Sequence, residues 1–359
     1  MVLSDIIVQS GRVALELQAE DGSFPPGCNG PYRDPETPAR NTAHWLITML
    51  KAYEISNESR FKDSAWKAAQ YLLSPPVRPM NATFFCRKNP EKDFCNGLIG
   101  QAWIIEALAI AGIKLEDPKY IELAQNVFDL HPFDHKVGLW RRVNVDGSYH
   151  GFDIAFNHQL WFAAAGAMLG SDLINTKIVR FIDRLMEAHL GLAPSGRIIH
   201  VISKSLSMRE KISKLIHHLR RPISSSRSDN QAVHKEIGYH AFNMYAFSML
   251  KRYMPGHSFW QSPKFISALN FMNKGEFVQG LENNKYGYPY NPPGFEVAFT
   301  IQEFSSLVSF SKSPEWWVGQ QLRRCYDEDN KTMQKCTEDK ETLAARLYEA
   351  TRLKDLEIK

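Results

Sequence analysis

Along this chain, segments that are apolar on nearly every face alternate with segments whose polar and apolar residues fall on opposite sides at helical spacing. The pattern predicts apolar helices beginning near residues 40, 95, 153, 236 and 296. In the third of these, Phe156, Leu160, Trp161, Ala164, Ala165 and Met168 recur at helical spacing with almost no charge between them. A helix with no polar face is stable only when covered on all sides. Between them, residues 2–18, 59–73, 118–130, 173–190 and 262–273 read as amphipathic, half-wet helices, and helices near 314–325 and 338–353 close the chain. Strand signals are scarce.

The apolar helices recur at intervals of roughly 55 to 60 residues, stretched to about 83 where residues 203–230 intervene. A period of that size marks an array of helical hairpins, each hiding its apolar helix only against its neighbours. About twelve helices make six hairpins, so the expected fold is an all-α (α/α)6 toroid, one domain over residues 1–359, with an inner apolar ring and an outer amphipathic one. The long aromatic and glycine-rich loops all precede inner helices. Closing the ring gathers them over one end as a single cleft, whereas an open superhelical stack would spread them out.

A net charge of +4 on 359 residues argues against bulk nucleic-acid binding and permits an anionic substrate. The five cysteines, Cys28, Cys86, Cys95, Cys325 and Cys336, contain no close pair of zinc-ligand spacing. They are read as reduced thiols, with no disulfide, metal or cofactor expected. The first residues carry an early acid and helical periodicity in place of an export signal, and no apolar run of about 18 residues is uninterrupted. A cytoplasmic, soluble protein is the expectation, its oligomeric state open.

NTAHW (41–45), GYHAFNMYAF (238–247) and YGYPYNPPGFE (286–296) resemble the AglQ-type proteins of surface-glycan gene clusters, within the six-hairpin (α/α)6 glycosidase superfamily. That resemblance implies work on a glycan containing uronic acid, a polysaccharide or a lipid-linked oligosaccharide, without fixing the reaction. LQAEDGSF (17–24) is similar to the glutamine-tryptophan repeat of terpene cyclases, which are also helical double rings. The acidic motif such enzymes need is missing from the inner helices, and Asp327–Asn330 reads as a solvated loop, so a terpene cyclase is a remote alternative.

Polar residues at the starts of apolar helices have no structural need to be there, and burying one without a partner costs about 1 to 3 kcal/mol. Asn41 and His44 share one helix face, Asn157 and His158 are adjacent, and Tyr239, His240 and Asn243 form a third cluster. Any one such histidine is equally an ordinary hydrogen-bonded core residue. Abstraction of the C5 proton beside a uronate carboxylate needs a cation or amides on the carboxylate and a His or Tyr as base. Arg141, Arg142, Asn157, His158, Tyr239 and His240 fit by type. The outcome would be a lyase or a C5 epimerase.

Hydrolysis, of the unsaturated-glucuronyl type, would instead need paired carboxylates. Asp153, Glu236 and Glu296 each open an inner helix, where acids also simply favour the helix dipole. Tyr286, Tyr288 and Tyr290 stand on a stiff loop suited to a sugar-stacking rim. Within the insertion 203–230, the stretch from Lys204 to Arg227 carries Lys204, Arg209, Lys211, Lys214, Arg220, Arg221 and Arg227 against Glu210, with Ile212, Leu215, Ile216 and Leu219 on one helical face. This is the composition of a helix lying on an anionic membrane or gripping an acidic glycan. A non-catalytic glycan-binding or assembly module remains the alternative outside enzymes.

Overall fold

A computed structural model describes residues 1–202 and 225–358. The basic stretch 203–224 lies outside the described residues, and with it the expected membrane-facing helix.

The chain alternates between an outer and an inner layer from end to end. The outer helices are α1 (Leu3–Leu15), α3 (Ser59–Leu73), α5 (Pro118–Leu130), α7 (Asp172–Arg184), α9 (Pro263–Phe271) and α12 (Pro314–Cys325), with the short α10 (Gly275–Gly280) beside α9. The inner ones are α2 (Ala39–Ser56), α4 (Gly97–Lys114), α6 (Phe156–Ala167), α8 (Ser225–Tyr253) and α11 (Pro293–Phe304). The sixth inner position is filled by α13 (Lys340–Ala345) running on as a 3-10 helix, Arg346–Arg352. Each inner helix packs on the next, α2 on α4, α4 on α6, α6 on α8, α8 on α11, α11 on the 3-10 helix, and that helix back on α2. The ring is therefore closed, as an (α/α)6 toroid.

Local sequence explains several element ends. Three outer helices start with a cap residue followed by proline: Asp117 accepts from the Lys119 amide, Ser262 from Phe265 and Ser313 from Trp316. Proline at the first helical position lacks an N–H that would be unbonded anyway. Helix α4 is long and apolar enough to cross a membrane, but 83% of it is buried inside the ring. The two ends of the chain meet: Leu3 N donates to Leu356 O at 3.0 Å, and Val2 pairs antiparallel with Glu357.

Two sequence expectations are corrected. Scarce as the strand signal is, the segment around Asp146-Gly147 belongs to a three-stranded antiparallel sheet, β1 (Phe133–Asp134), β2 (Leu139–Val143) and β3 (Tyr149–Phe152). Its single turn and short alternation gave too brief a strand signal to read. Cys325 and Cys336 are joined as a disulfide with Cα atoms 5.0 Å apart, leaving Cys28, Cys86 and Cys95 as thiols. The hairpin β4 (Tyr326–Asp327) and β5 (Thr332–Met333) brings those two together, a proximity the sequence does not announce. The repeat-like LQAEDGSF is a helix-to-loop clasp, in which Gln18 donates to the carbonyls of Gly22 and Ser64 at 3.0 Å. Asp327 likewise caps its own turn through the amides of Asp329 and Asn330.

Candidate active site

The loops that precede the inner helices meet over one end of the ring and enclose a cavity of about 240 Å³. One wall comes from the loop before α2 (Asn29, Tyr32, Asp34) and another from the loop before α4 (Arg87, Lys92, Asn96). Further lining comes from Trp103 on α4, from Asn157 and His158 on α6, from His200, from Lys235, Tyr239 and Phe242 on α8, and from Tyr290 before α11.

Asp153 and His158 are the most organised pair. Asp153 Oδ2 lies 2.8 Å from His158 Nδ1 and accepts the Leu98 amide at the start of α4 at 3.0 Å. Burial alone would raise this carboxyl, but the His158 ring, the Leu98 N–H and Arg142 together hold it at about 2. An ionised carboxylate only accepts, so the shared proton sits on Nδ1 and Nε2 is left as the free nitrogen of His158. The His158 side chain keeps 24% of its surface exposed, toward the cavity. Gly97 makes the pair possible. It has φ +58°, and a Cβ there would lie 2.5 Å from Asp153 Oδ2 and 2.9 Å from His158 Nδ1.

His200 and Lys235 line another part of the same cavity. The His200 backbone is pinned by Phe156 N donating to its carbonyl at 2.8 Å and by its own N–H donating to Glu236 at 3.3 Å. Its ring lies 5.0 Å from that of Tyr239, and its buried Nδ1 has no protein partner among the described residues. Burial, then the nearby Lys235 charge, keep it neutral far below the ordinary histidine value. The Lys235 ammonium lies over the rings of Tyr32 and Tyr239 at 5.3 and 5.6 Å, with no carboxylate partner among the described residues. Burial lowers it to about 8. The Tyr32 and Tyr239 hydroxyls are hydrogen-bonded at 2.8 Å, and burial pushes both phenols well above their usual value.

The other charges in the wall are internally matched. Lys92 holds Asp34 at 2.6 Å, and Arg87 is braced by Asp93 at 3.0 Å and Asn96 at 3.0 Å. Trp103, Phe242 and Tyr290 supply the aromatic surface, and two buried arginines back it: Arg40 lies 4.1 Å from the Trp103 ring and Arg346 4.9 Å from that of Phe242. Asn157 Oδ1 and Trp103 Nε1, both buried, have no protein partner among the described residues. Unmet polar atoms of this kind in a cavity wall suit a ligand rich in hydroxyls.

Below this surface the ring encloses charge rather than a purely apolar core. Arg346 pairs with Glu296 at 3.1 Å and Glu349 at 2.6 Å, while Arg352 reaches Glu106 at 2.5 Å. Burial and the Glu349 charge keep Glu296 protonated far above the ordinary range, and burial raises Glu349 to about 7. Among the described residues no three His, Cys, Asp or Glu side chains gather as a metal ion would need.

Of the residues singled out from sequence, Asn157, His158, Tyr239 and Tyr290 line the cavity, and Asp153 stands directly behind His158. Tyr286 backs the wall, 5.9 Å from Tyr32 and 6.0 Å from Tyr239. The others lie elsewhere. His240 is fully buried with both ring nitrogens used, accepting from Ile198 N at 3.3 Å and bonding Ala268 O at 3.0 Å, so it has no atom for substrate. Glu296 is held in the ring interior by Arg346. Asn41, which donates to Pro25 O at 2.8 Å, His44, stacked 4.1 Å from Tyr348 and edge-on to the cavity's Trp103, and Asn243 are buried in the inner helices and do not line the cavity. Glu236 is paired with Arg197 at 3.0 Å, Arg142 with Asp93 at 3.1 Å, Arg141 packs on Phe152 and Tyr288 on Arg324.

Sequence reasoning missed His200, Lys235, Arg87, Lys92, Tyr32 and Trp103. His200 and Lys235 flank the insertion, where the hairpin period breaks and no spacing marks a residue as inward-facing. Arg87 and Lys92 lie in a loop whose charges look like ordinary solvated ones.

No family model matches the chain. The archaeal glycosylation protein Q of Haloferax volcanii is 43% identical to it over 372 residues, covering 99% of this chain and 98% of that protein. Among solved structures, cellobiose 2-epimerase from Bacillus thermoamylovorans superposes with a TM-score of 0.66 at 12% identity, covering 94% of each chain. An unsaturated glucuronyl hydrolase specific for heparin gives 0.62 at 13% identity, covering 98% of this chain and 95% of that one. A D-mannose isomerase gives 0.61 at 13%, covering 98% and 97%. The shared fold is thus that of carbohydrate-processing epimerases, isomerases and hydrolases.

Proposed function

Because the chain belongs to the family of archaeal glycosylation protein Q, we propose that it is an enzyme acting on a glycan, moving a proton at the carbon beside a uronate carboxylate. The observation that carries this reading is the carboxylate-oriented His158 opening into a cavity that also holds neutral His200 and the Lys235 ammonium.

In this mechanism Lys235 receives the uronate carboxylate, and its charge favours the anion that forms as the C5–H bond breaks. His158 Nε2 takes the proton while Asp153 stabilises the imidazolium. Two outcomes balance. For C5 epimerisation, a phenol of the hydrogen-bonded Tyr32–Tyr239 pair returns a proton to C5. For a lyase, the C4–O bond breaks, the C4–C5 double bond forms and the proton leaves with the departing oxygen. Hydrolysis by paired carboxylates draws less support. Asp153 is engaged with His158, Glu236 with Arg197, and Glu296 with Arg346.

The test is incubation with uronate oligosaccharides in heavy water. Deuterium at C5 by NMR is expected for the epimerase, and new ultraviolet absorbance from a C4–C5 double bond for the lyase, each lost in His158→Ala. Absence of both signals, with glycosidic cleavage that survives His158→Ala, overturns the reading in favour of hydrolysis.

A further inference from the structure

A second concavity, of about 510 Å³, lies on the other side of the loop that walls the cavity. Asn29 and Tyr32 face the cavity, while Gly30, Pro31 and Arg33 line this groove, opposite Lys285, Pro289 and Thr337. The dividing loop is held in place. Asn29, Gly30 and Arg33 all have positive φ, and Asp339 accepts the amides of Cys28 at 3.1 Å and Gly30 at 2.6 Å.

Three tyrosines cluster at the cavity wall beside the dividing loop. The Tyr286 ring lies 5.9 Å from that of Tyr32 and 6.0 Å from that of Tyr239. Lys235 lies over Tyr32 and Tyr239 on the cavity side, and Lys285 lies over Tyr286 at 5.2 Å on the groove side. In the groove Arg33 is matched by Glu338 at 2.8 Å and Asp339 is occupied with its backbone partners, while Lys285 has no carboxylate partner among the described residues. Each space therefore presents one ammonium without a carboxylate partner among the described residues, each ammonium lying over a ring of the tyrosine cluster.

We infer that the groove is a subsite for the sugar units adjoining the one held in the cavity, so that the substrate is an acidic oligosaccharide and not a free monosaccharide. This rests on the reading of the cavity as a sugar site. The cavity has room for little more than one ring, and the groove is about twice as large. Flat faces of Pro31 and Pro289 suit sugar rings, and Lys285 suits an anionic substituent, carboxylate or sulfate.

The test measures binding to the full chain by calorimetry, using glucuronate, tetrasaccharides from polygalacturonate and from hyaluronan, a sulfated chondroitin tetrasaccharide and neutral cellotetraose. At least one acidic tetrasaccharide is expected to bind about tenfold or more tighter than glucuronate. Lys285→Glu is expected to remove roughly fivefold of that gain while leaving glucuronate affinity unchanged. The carboxylate and sulfate probes identify which anion Lys285 reads. Tetrasaccharides that bind no tighter than glucuronate, or an equal response to Lys285→Glu by both, overturn the subsite. Failure of the cavity reading gives a different pattern, in which glucuronate affinity is unchanged in Lys235→Met.

Discussion

Asp153 Oδ2 and His158 Nδ1 stand 2.8 Å apart on a carboxylate that also caps the start of α4, so one acid joins two inner helices and fixes one imidazole. An asparagine in its place allows an amide N–H to face the ring and the opposite tautomer to form. Asp153→Asn is expected to lower kcat about 10²-fold or more, with glucuronate affinity held within about twofold. Unchanged kcat would show that His158 needs no orienting partner.

Gly97 permits a controlled test of the same geometry. Gly97→Ala combines a positive φ with a clash against both members of the pair, whereas Gly170, at φ +67°, has nothing within 4 Å of an added Cβ. Both alanine variants are expected to lose about 1 kcal/mol or more of stability from backbone strain. Only Gly97→Ala is expected to lose activity, read as kcat with Tm measured alongside.

Stability is expected to fall on acidification. Burial holds His131 and His189 near 4, His240 near 3, and His44 and His200 well below the ordinary value. The unfolded chain protonates these histidines near pH 6.5, so it binds more protons than the folded one between about pH 6.5 and 4, and stability falls with pH there. Glu349, at about 7, and Glu296, Glu36 and Glu106, all raised by burial, act in the opposite sense, since their folded forms keep a proton that the unfolded chain has lost above about pH 4.5. The five histidines act against these four carboxyls, and the histidines are expected to dominate. Tm is expected to drop by more than about 10 °C between pH 7 and pH 4.5. The drop is expected to be steeper in Glu349→Gln, and a Tm that rises over that interval would contradict the balance.

The ionic centre of the ring predicts an asymmetry between its two partners. Glu296→Gln replaces a carboxyl that is already kept protonated, and is expected to change stability by less than about 1 kcal/mol. Arg346→Met leaves the buried Glu349 charge without its cation and is expected to cost about 3 to 5 kcal/mol. Denaturant titration of both variants measures the difference.

The hairpin period and the closed ring were legible because burial on all sides leaves an unmistakable mark on α2, α4, α6, α8 and α11. The sixth inner segment was placed as a helix but not as lumen-facing, because RLYEATR looks like a wet surface helix while its Arg346, Glu349 and Arg352 point inward to partners on other helices. The same physics hid part of the site. His158 stood at a helix start where spacing made it visible, whereas His200 is brought in by pairing of its irregular segment with residues 154–156. His240, equally visible in sequence, turned out to be a core strut because the carbonyl of Ala268 lies opposite it.

The meeting of residues 1–3 with residues 356–358 gives the ring a seam at which its backbone can be joined. Met1 N reaches Ile358 O at 3.1 Å, so a short peptide link could join the two ends without disturbing the ring, and the backbone could be opened at another inter-hairpin turn. A permuted chain begun at α3, for instance, would translate the closing 3-10 helix before α2 and change the order in which the wall of the cavity is assembled, while leaving the finished wall the same.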